Sequence, residues 1–292
     1  MLQQIFNTLV NASIYALFAL GYALVFGVLD ILNLAHGAIF MVGAFASVQT
    51  VLTWHWPLLL ALPFGVLLGG VLGVVLDAVA VAPLRAREAD FLPPLISTIA
   101  AAAIFENIVL ARYGPDSFNF PADAFPDVSI AVGDATIRLV QLFMVVLAVL
   151  LMAGLTLMLR YTRLGRAIRA VAANRLAAEL MGIDVRRTIG TTFFLASALG
   201  ALAGIFYGLN LVGSVEWNMG DNIQLRGLSV IVVGGMDSLP GVLLGALLLA
   251  ASETLGVSVN SSYRDAIGFG LLFLVLIIRP SGLLGRRGLR TA

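Results

Sequence analysis

Residues 227–256 read GLSVIVVGGMDSLPGVLLGALLLAASETLG, an apolar run broken only at Asp237-Ser238-Leu239-Pro240. A helix needs about 20 apolar residues to cross a bilayer, so whether this break is real fixes how often the chain crosses. The loop before it, 214–224, carries Glu216 and Asp221 and no arginine. After it come an apolar stretch, Ala266 to Ile278, and a tail with Arg279, Arg286, Arg287 and Arg290. Positive charge gathers on the cytoplasmic side of membrane proteins. Segments 83–90, 160–187 and 279–292 are therefore expected inside, and the arginine-free loops 113–136 and 214–224 outside. Between an outside loop and an inside tail the chain must cross an odd number of times. One span for 227–256 and one for 266–278 make two, so the break must divide the run. Either two short helices each cross, or one piece is re-entrant and returns to its own side. Non-helical backbone at that depth is tolerated where it is buried in protein or lines a wet path.

The composition supports the membrane premise. Of 292 residues, 60% are hydrophobic and 11% charged, with a mean hydropathy of +1.02. A soluble domain runs at about 45–50% and 25%. The excess must face lipid, which excludes a soluble enzyme or a nucleic-acid binder. All 17 basic residues are arginine. Without lysine there is no phosphate-binding G-x-x-x-x-G-K-[ST] loop and no Schiff-base chemistry. Without cysteine there is no disulfide, thiolate nucleophile or common structural zinc site. His36 and His55 lie too far apart for H-E-x-x-H. No catalytic, cofactor or metal site is expected in the chain itself. Met1 to Asn7 carry no basic charge, so no cleaved signal peptide is expected.

The other apolar stretches are Ile5–Leu29, Ala38–Thr53, Leu58–Ala82, one from Pro93 to near Arg112, Ile137–Leu159 and Thr188–Val212. The fold class is thus an all-α polytopic membrane protein with about eight transmembrane segments, two of them interrupted or re-entrant. Residues 1–292 read as one transmembrane domain. It carries a cytoplasmic loop at 160–187 and an external loop at 113–136. The second interruption is Asp30 to Gly37 (DILNLAHG). The strings around Gly27–Ala44 and Gly234–Ala246 echo one another. That echo is either an internal two-fold repeat, whose paired broken helices point to a transport path, or a coincidence of Gly-rich apolar strings.

Gly65, Gly69 and Gly73, and again Gly200, Gly204 and Gly208, recur at every fourth residue. That spacing marks one helix face for close packing. Between Arg160 and Arg187, seven arginines stand against Glu179 and Asp184. Arg163, Arg166 and Arg169 share a face, opposite Leu164, Ile168 and Val171. Gly182 is placed as a C-terminal cap. An amphipathic helix of about 15–20 residues is expected, either lying on anionic headgroups or docking a cytoplasmic partner. Among ionisable residues in apolar spans, Glu106 is either a transport group or a packing residue satisfied by a neighbouring helix. His36 is either on a ligand path or a hydrogen-bonded histidine at a helix break. His55, between Trp54 and Trp56, reads as interfacial.

Several strings carry a resemblance to one family. Asp30–Gly43 resembles the M-x-N-F-A-H-G-x-x-x-x-x-G signature of branched-chain amino-acid ABC permeases of the LivH type. Arg160–Asp184 (RYTRLGRAIRAVAANRLAAELMGID) is similar to that family's R-x-G-R-A-x-R-A … A-x-x-x-G-I loop. Val233–Gly245 (VGGMDSLPGVLLG) resembles L-G-G-x-G-S-x-P-G-x-x-x-G, and Arg279–Gly285 (RPSGLLG) resembles P-x-G-L-x-G. The blocks stand in family order from about Asn11 to Gly285.

The resemblance implies a non-catalytic permease subunit in the bacterial inner membrane. It implies a second permease as heterodimer partner, two cytoplasmic ABC ATPases that use ATP and Mg, and a periplasmic or extracytoplasmic solute-binding protein, with lipid around it and no nucleic acid. Arg163, Gly165, Arg166, Arg169, Ala170, Gly182 and Ile183 would then couple to the ATPase. Asp30, Asn33, His36, Gly37, Gly234, Gly235, Asp237, Pro240 and Gly241 would form bendable backbone near the path, with Glu106 a further pathway candidate. Asp237 stands where the family usually has glycine, which puts a charge near that path. The implied cargo therefore extends from branched-chain to other small amino acids, amides or urea. The alternative is an ion-coupled secondary transporter, which has no need of a docking helix. A membrane-embedded hydrolase would want a clustered nucleophile and base, and the sequence has none.

Overall fold

The computed structural model describes residues 2–87, 92–121, 124–126, 128–132, 135–210, 214–236, 238–260, 263–279 and 282–285. Among them seven helices are long and apolar enough to cross a membrane. In chain order the helices begin with α1 (Leu2–Leu29), α2 (His36–Trp54) and α3 (Leu58–Leu76). A π-helical turn, Asp77–Val81, leads into α4 (Ala82–Ala86), followed by α5 (Leu92–Tyr113). A hairpin of β1 (Ser129–Val132) and β2 (Ala135–Arg138) precedes α6 (Leu139–Tyr161), α7 (Arg163–Ala173), α8 (Arg175–Leu180) and α9 (Val185–Leu209). The chain continues with α10 (Met219–Gly234), α11 (Leu239–Val259) and the shorter apolar α12 (Arg264–Ile278). Apart from a single antiparallel bridge between Phe118 and Val215, the hairpin, paired Ser129 to Arg138 and Val132 to Ala135, is the one departure from all-α architecture among the described residues. It occupies the loop expected outside.

The core is built on α1, α2 and α9. Leu17, Phe18, Ile39, Phe40, Ala203 and Phe206 are fully buried there. By contrast α3, α5 and α6 turn Leu59, Leu67, Ile108 and Leu150 outward, the pattern expected of a lipid-facing surface. Both glycine ladders sit at helix crossings. Gly69 meets Ala201 and Gly73 meets Ser197, so α3 lies hard on α9; Gly204 abuts the Phe40 carbonyl, so α9 lies hard on α2. Small residues let backbones approach where burial from water supplies no drive.

The third span differs from its expected end at Ala82, since helical structure runs on to Ala86 through the π turn. A π turn leaves carbonyls without their usual i+4 donors. Ser97 Oγ donates to the Ala80 carbonyl at 2.9 Å, and buried Asp77 binds Arg85 at 3.1 Å. The expected single amphipathic helix after Arg160 is in fact two, α7 and α8, divided at Asn174. Asn174 is extended (φ −161°) and its side chain accepts from Ala177 N. An Asn that caps the next helix competes with continuation of the previous one.

Candidate functional site

Both interruptions are present as breaks, and they differ in kind. Arg175 and the carbonyls of Val28 and Leu29 put the end of α1 at the arginine-rich end of the bundle. Asp30 then adopts a left-handed conformation (φ 55°). Seven residues after Leu29, His36 lies against Phe18, its Nε2 3.2 Å from the Phe18 carbonyl. Phe18 stands about 16 Å back along α1, within reach of seven extended residues. The chain therefore climbs back into the bundle without helical structure and starts α2 in the interior. The break after α10 is a tight turn at the arginine-rich end. Gly235 has φ 102°, and the tail pairs with it, Leu283 N donating to Val233 O at 2.8 Å and Leu284 N to Gly234 O at 3.1 Å. Gly234 packs on Gly241, closing α10 and α11 into a hairpin, with Pro240 in the first turn of α11. Asp237 lies outside the described residues, as do Glu88 and Arg286, Arg287 and Arg290.

A helix that starts inside a membrane protein needs partners for its first amides. Gly37 N donates to Gln224 Oε1 at 2.8 Å, Leu34 N to Thr98 Oγ1 at 3.2 Å and Ala35 N to Asn33 Oδ1 at 3.2 Å. His36 is fully buried between Phe18 and Tyr22, with ring centroids 4.6 and 5.8 Å away. A carbonyl only accepts, so Nε2 carries the proton and Nδ1 is a bare acceptor. That Nδ1 and Asn33 Nδ2 are buried without a protein hydrogen bond, and Tyr22 Oη lies against the buried Gln224 side chain. The sequence reading singles out ionisable groups and the residues of the two breaks, and it misses Thr98 and Gln224. Polar residues inside apolar spans were the available signal.

Glu106 is not among this group. It stands half-buried on α5 beside exposed Asn107, near the carboxylate of Asp221 on α10. Asp221 and Asn222 are exposed too, so a polar strip runs along an otherwise apolar outer surface.

At the arginine-rich end, Thr162 caps α7 by accepting from Gly165 N. Gly165 packs so closely on the Met158 and Leu159 carbonyls that no side chain fits. Arg163, Arg166 and Arg169 are exposed while Ile168 and Val171 are buried, as the spacing requires. Ala170 and Ile183 are partly buried and Gly182 takes φ 80°. On α8, Ala178 is buried, but Leu176, Leu180 and Met181, the residue that follows the helix, are 68%, 81% and 82% exposed. This apolar patch among charges was hidden in the sequence, because one continuous helix would have faced those residues differently. Between α7 and the α10–α11 turn lies a cavity of about 500 Å³, lined by Arg160, Arg169, Met236 and Pro240.

The helices, the two breaks and the arginine-rich loop define a polytopic transport permease. The chain matches the family model for the branched-chain amino acid transport system permease component over residues 4–276. It belongs to that family. It is 33% identical to the high-affinity branched-chain amino acid transport system permease protein BraD of Pseudomonas aeruginosa, over 98% of this chain and 96% of that one. It is 32% identical to the corresponding LivH protein of Escherichia coli K12 over the same shares. The ribose import permease protein RbsC of Haemophilus influenzae is 26% identical over 94% of this chain and 84% of its own length. Among solved structures, PsaBC from Streptococcus pneumoniae in complex with Fab shares the fold, with a TM-score of 0.51, 13% identity, and coverage of 94% and 91%.

Proposed function

We propose that this chain is the membrane-spanning subunit of an ATP-driven ABC importer in the bacterial inner membrane, carrying branched-chain or other small amino acids, or related amides or urea, into the cytoplasm. It works with a second permease, two cytoplasmic ATPases that use ATP and Mg, and an extracytoplasmic binding protein. The observation that carries this reading is the exposed patch of Leu176, Leu180 and Met181 on a short capped helix among arginines. An apolar patch rimmed by charge marks a protein contact, and a secondary transporter has no use for one here. Arg163, Arg166 and Arg169 rim the docking surface, Gly165 holds α7 against α6, and Gly182 and Ile183 turn the chain back into α9.

ATPase closure then displaces α7 and α8 and, through the cavity beside Pro240, the α10–α11 turn at Gly234, Gly235 and Gly241. In the interior, the buried polar groups of Asn33, His36 and Gln224 mark the region that rearranges, with Asp30 and Gly37 at its two ends. The strip of Glu106, Asn107, Asp221 and Asn222 faces the partner permease and the path between them, since polar side chains facing lipid are costly. On this account the stretch that runs from the outside loop through α10 crosses once, and α11 and α12 each cross, meeting the odd-number requirement.

Purification from native membranes in mild detergent tests the class. ATPase subunits should co-purify, and uptake of labelled leucine into proteoliposomes should require internal or external ATP on the ATPase side. Uptake that persists without ATP and collapses with the proton gradient overturns the reading in favour of an ion-coupled transporter.

A further inference from the structure

Arg175 opens α8, one residue before Leu176 of the exposed patch. Its side chain is partly buried and points away from that patch. Nη2 donates to the Leu29 carbonyl at 3.1 Å and the Val28 carbonyl at 3.5 Å. These are last-turn acceptors of α1, where a cation is favoured by the helix dipole. The next residue is Asp30, where the chain leaves the helix with φ 55° and climbs to His36. Burial draws the Arg175 pKa below its ordinary value, Arg85 adds to this, and the Asp30 carboxylate opposes it, in keeping with a guanidinium held off from bulk water close to Asp30.

We infer that Arg175 is a positioning residue that ties the docking helix α8 to the end of α1, where the non-helical segment 30–35 begins, so that displacement of α8 is delivered through that segment to the interior start of α2. No other side-chain hydrogen bond between α8 and α1 is present among the described residues. The far end of the segment is held by Thr98 and Gln224, so a pull at Asp30 acts on contacts among α2, α5 and α10. This rests on the docking proposed above and adds to it the route from the loop into the bundle.

The test uses the whole transporter in proteoliposomes with its ATPases and binding protein, labelled leucine as probe, and Arg175→Gln and Arg175→Lys variants. Charged hydrogen bonds of this kind are strong enough that losing both should lower uptake per ATP hydrolysed by at least about tenfold. ATPase co-purification and hydrolysis should stay close to wild type in Arg175→Gln, and Arg175→Lys should recover part of the loss. A general structural defect would lower hydrolysis and uptake together. The chain has no cysteine, so spin labels on Leu32→Cys and Thr53→Cys report the segment directly. Their separation should change on vanadate trapping, and Arg175→Gln should abolish that change. Unaltered uptake per ATP, or an unaltered distance change, in Arg175→Gln overturns the inference. If that variant fails to insert, Arg175→Lys carries the test: reduced uptake per ATP supports the tie and wild-type coupling overturns it. Failure of the ATPases to co-purify with wild type overturns the docking reading itself, and with it this inference.

Discussion

Gly37, the second residue of α2, and Gly220, the second residue of α10, meet backbone to backbone: a Cβ added to either would lie 2.5 Å from the carbonyl oxygen of the other. Two helix starts cross inside the bundle, and Gln224, one turn along α10, bonds the Gly37 amide. Backbone cannot yield as a flexible side chain can. Gly37→Ala and Gly220→Ala should each cost about 1–3 kcal/mol and lower the thermal unfolding midpoint in detergent. Gly27→Ala, with nothing within 4 Å, should leave it unchanged.

Gln224 offers a second check on that crossing. Gln224→Leu keeps much of the volume but strands the buried Gly37 amide, a loss of about 1–3 kcal/mol. Gln224→Glu retains the acceptor and should be milder in hydrogen exchange at the start of α2, measured on membrane-reconstituted protein. Equal exchange in both variants would remove Gln224 from the account.

Glu253 on α11 is 2% exposed. It accepts from Tyr15 Oη at 2.7 Å, Arg226 Nε at 2.8 Å and Arg264 Nε at 2.9 Å, joining α1, α10, α11 and α12. Removing one member of a buried charge group costs about 3–5 kcal/mol. Glu253→Ala should therefore lower the thermal midpoint more than any of the glycine variants above. Tyr15→Phe, which leaves both ion pairs, should lower it far less.

How much of this was legible in the sequence follows from the range of each interaction. The spans, the reality of both breaks and the glycine faces were readable, because hydropathy, charge parity and fourfold spacing are local patterns. Gly234–Ala246 echoes Gly27–Ala44 in sequence, yet the helix start that meets Gly37 belongs to Gly220, and Gly234 closes on Gly241 of its own hairpin. Such pairing is set by tertiary packing between segments about 180 residues apart, which no local pattern encodes. Arg175 was one arginine among seven by composition. Only the fold separates it, turned inward to Leu29, from exposed Arg163, Arg166 and Arg169. Asn174 is the local feature that divides α7 from α8, and reading it as a cap would have exposed the Leu176–Met181 patch.

Gly182, with φ 80° and nothing near its absent Cβ, separates conformational from steric demand. Gly182→Ala should cost about 1 kcal/mol through the left-handed backbone alone, and Gly182→Asn less, since Asn tolerates that region. Hydrogen exchange in the 176–184 segment reads the difference.

Reversing the charges on Arg166 and Arg169, both exposed on α7, should leave the protein inserted and separate ATP hydrolysis from uptake. Wild-type uptake in the Arg166→Glu, Arg169→Glu double variant would remove these residues from the docking surface.

The most direct measurement is ATPase co-purification with Leu180→Asp and Met181→Asp, two side chains more than 80% exposed whose replacement leaves the fold nothing to lose. Docking through α8 predicts that the variants insert and unfold like wild type but recover less than about a tenth of the ATPase, as expected for two contacts each worth more than 1 kcal/mol at an interface. Full recovery of the ATPase with both variants would contradict it.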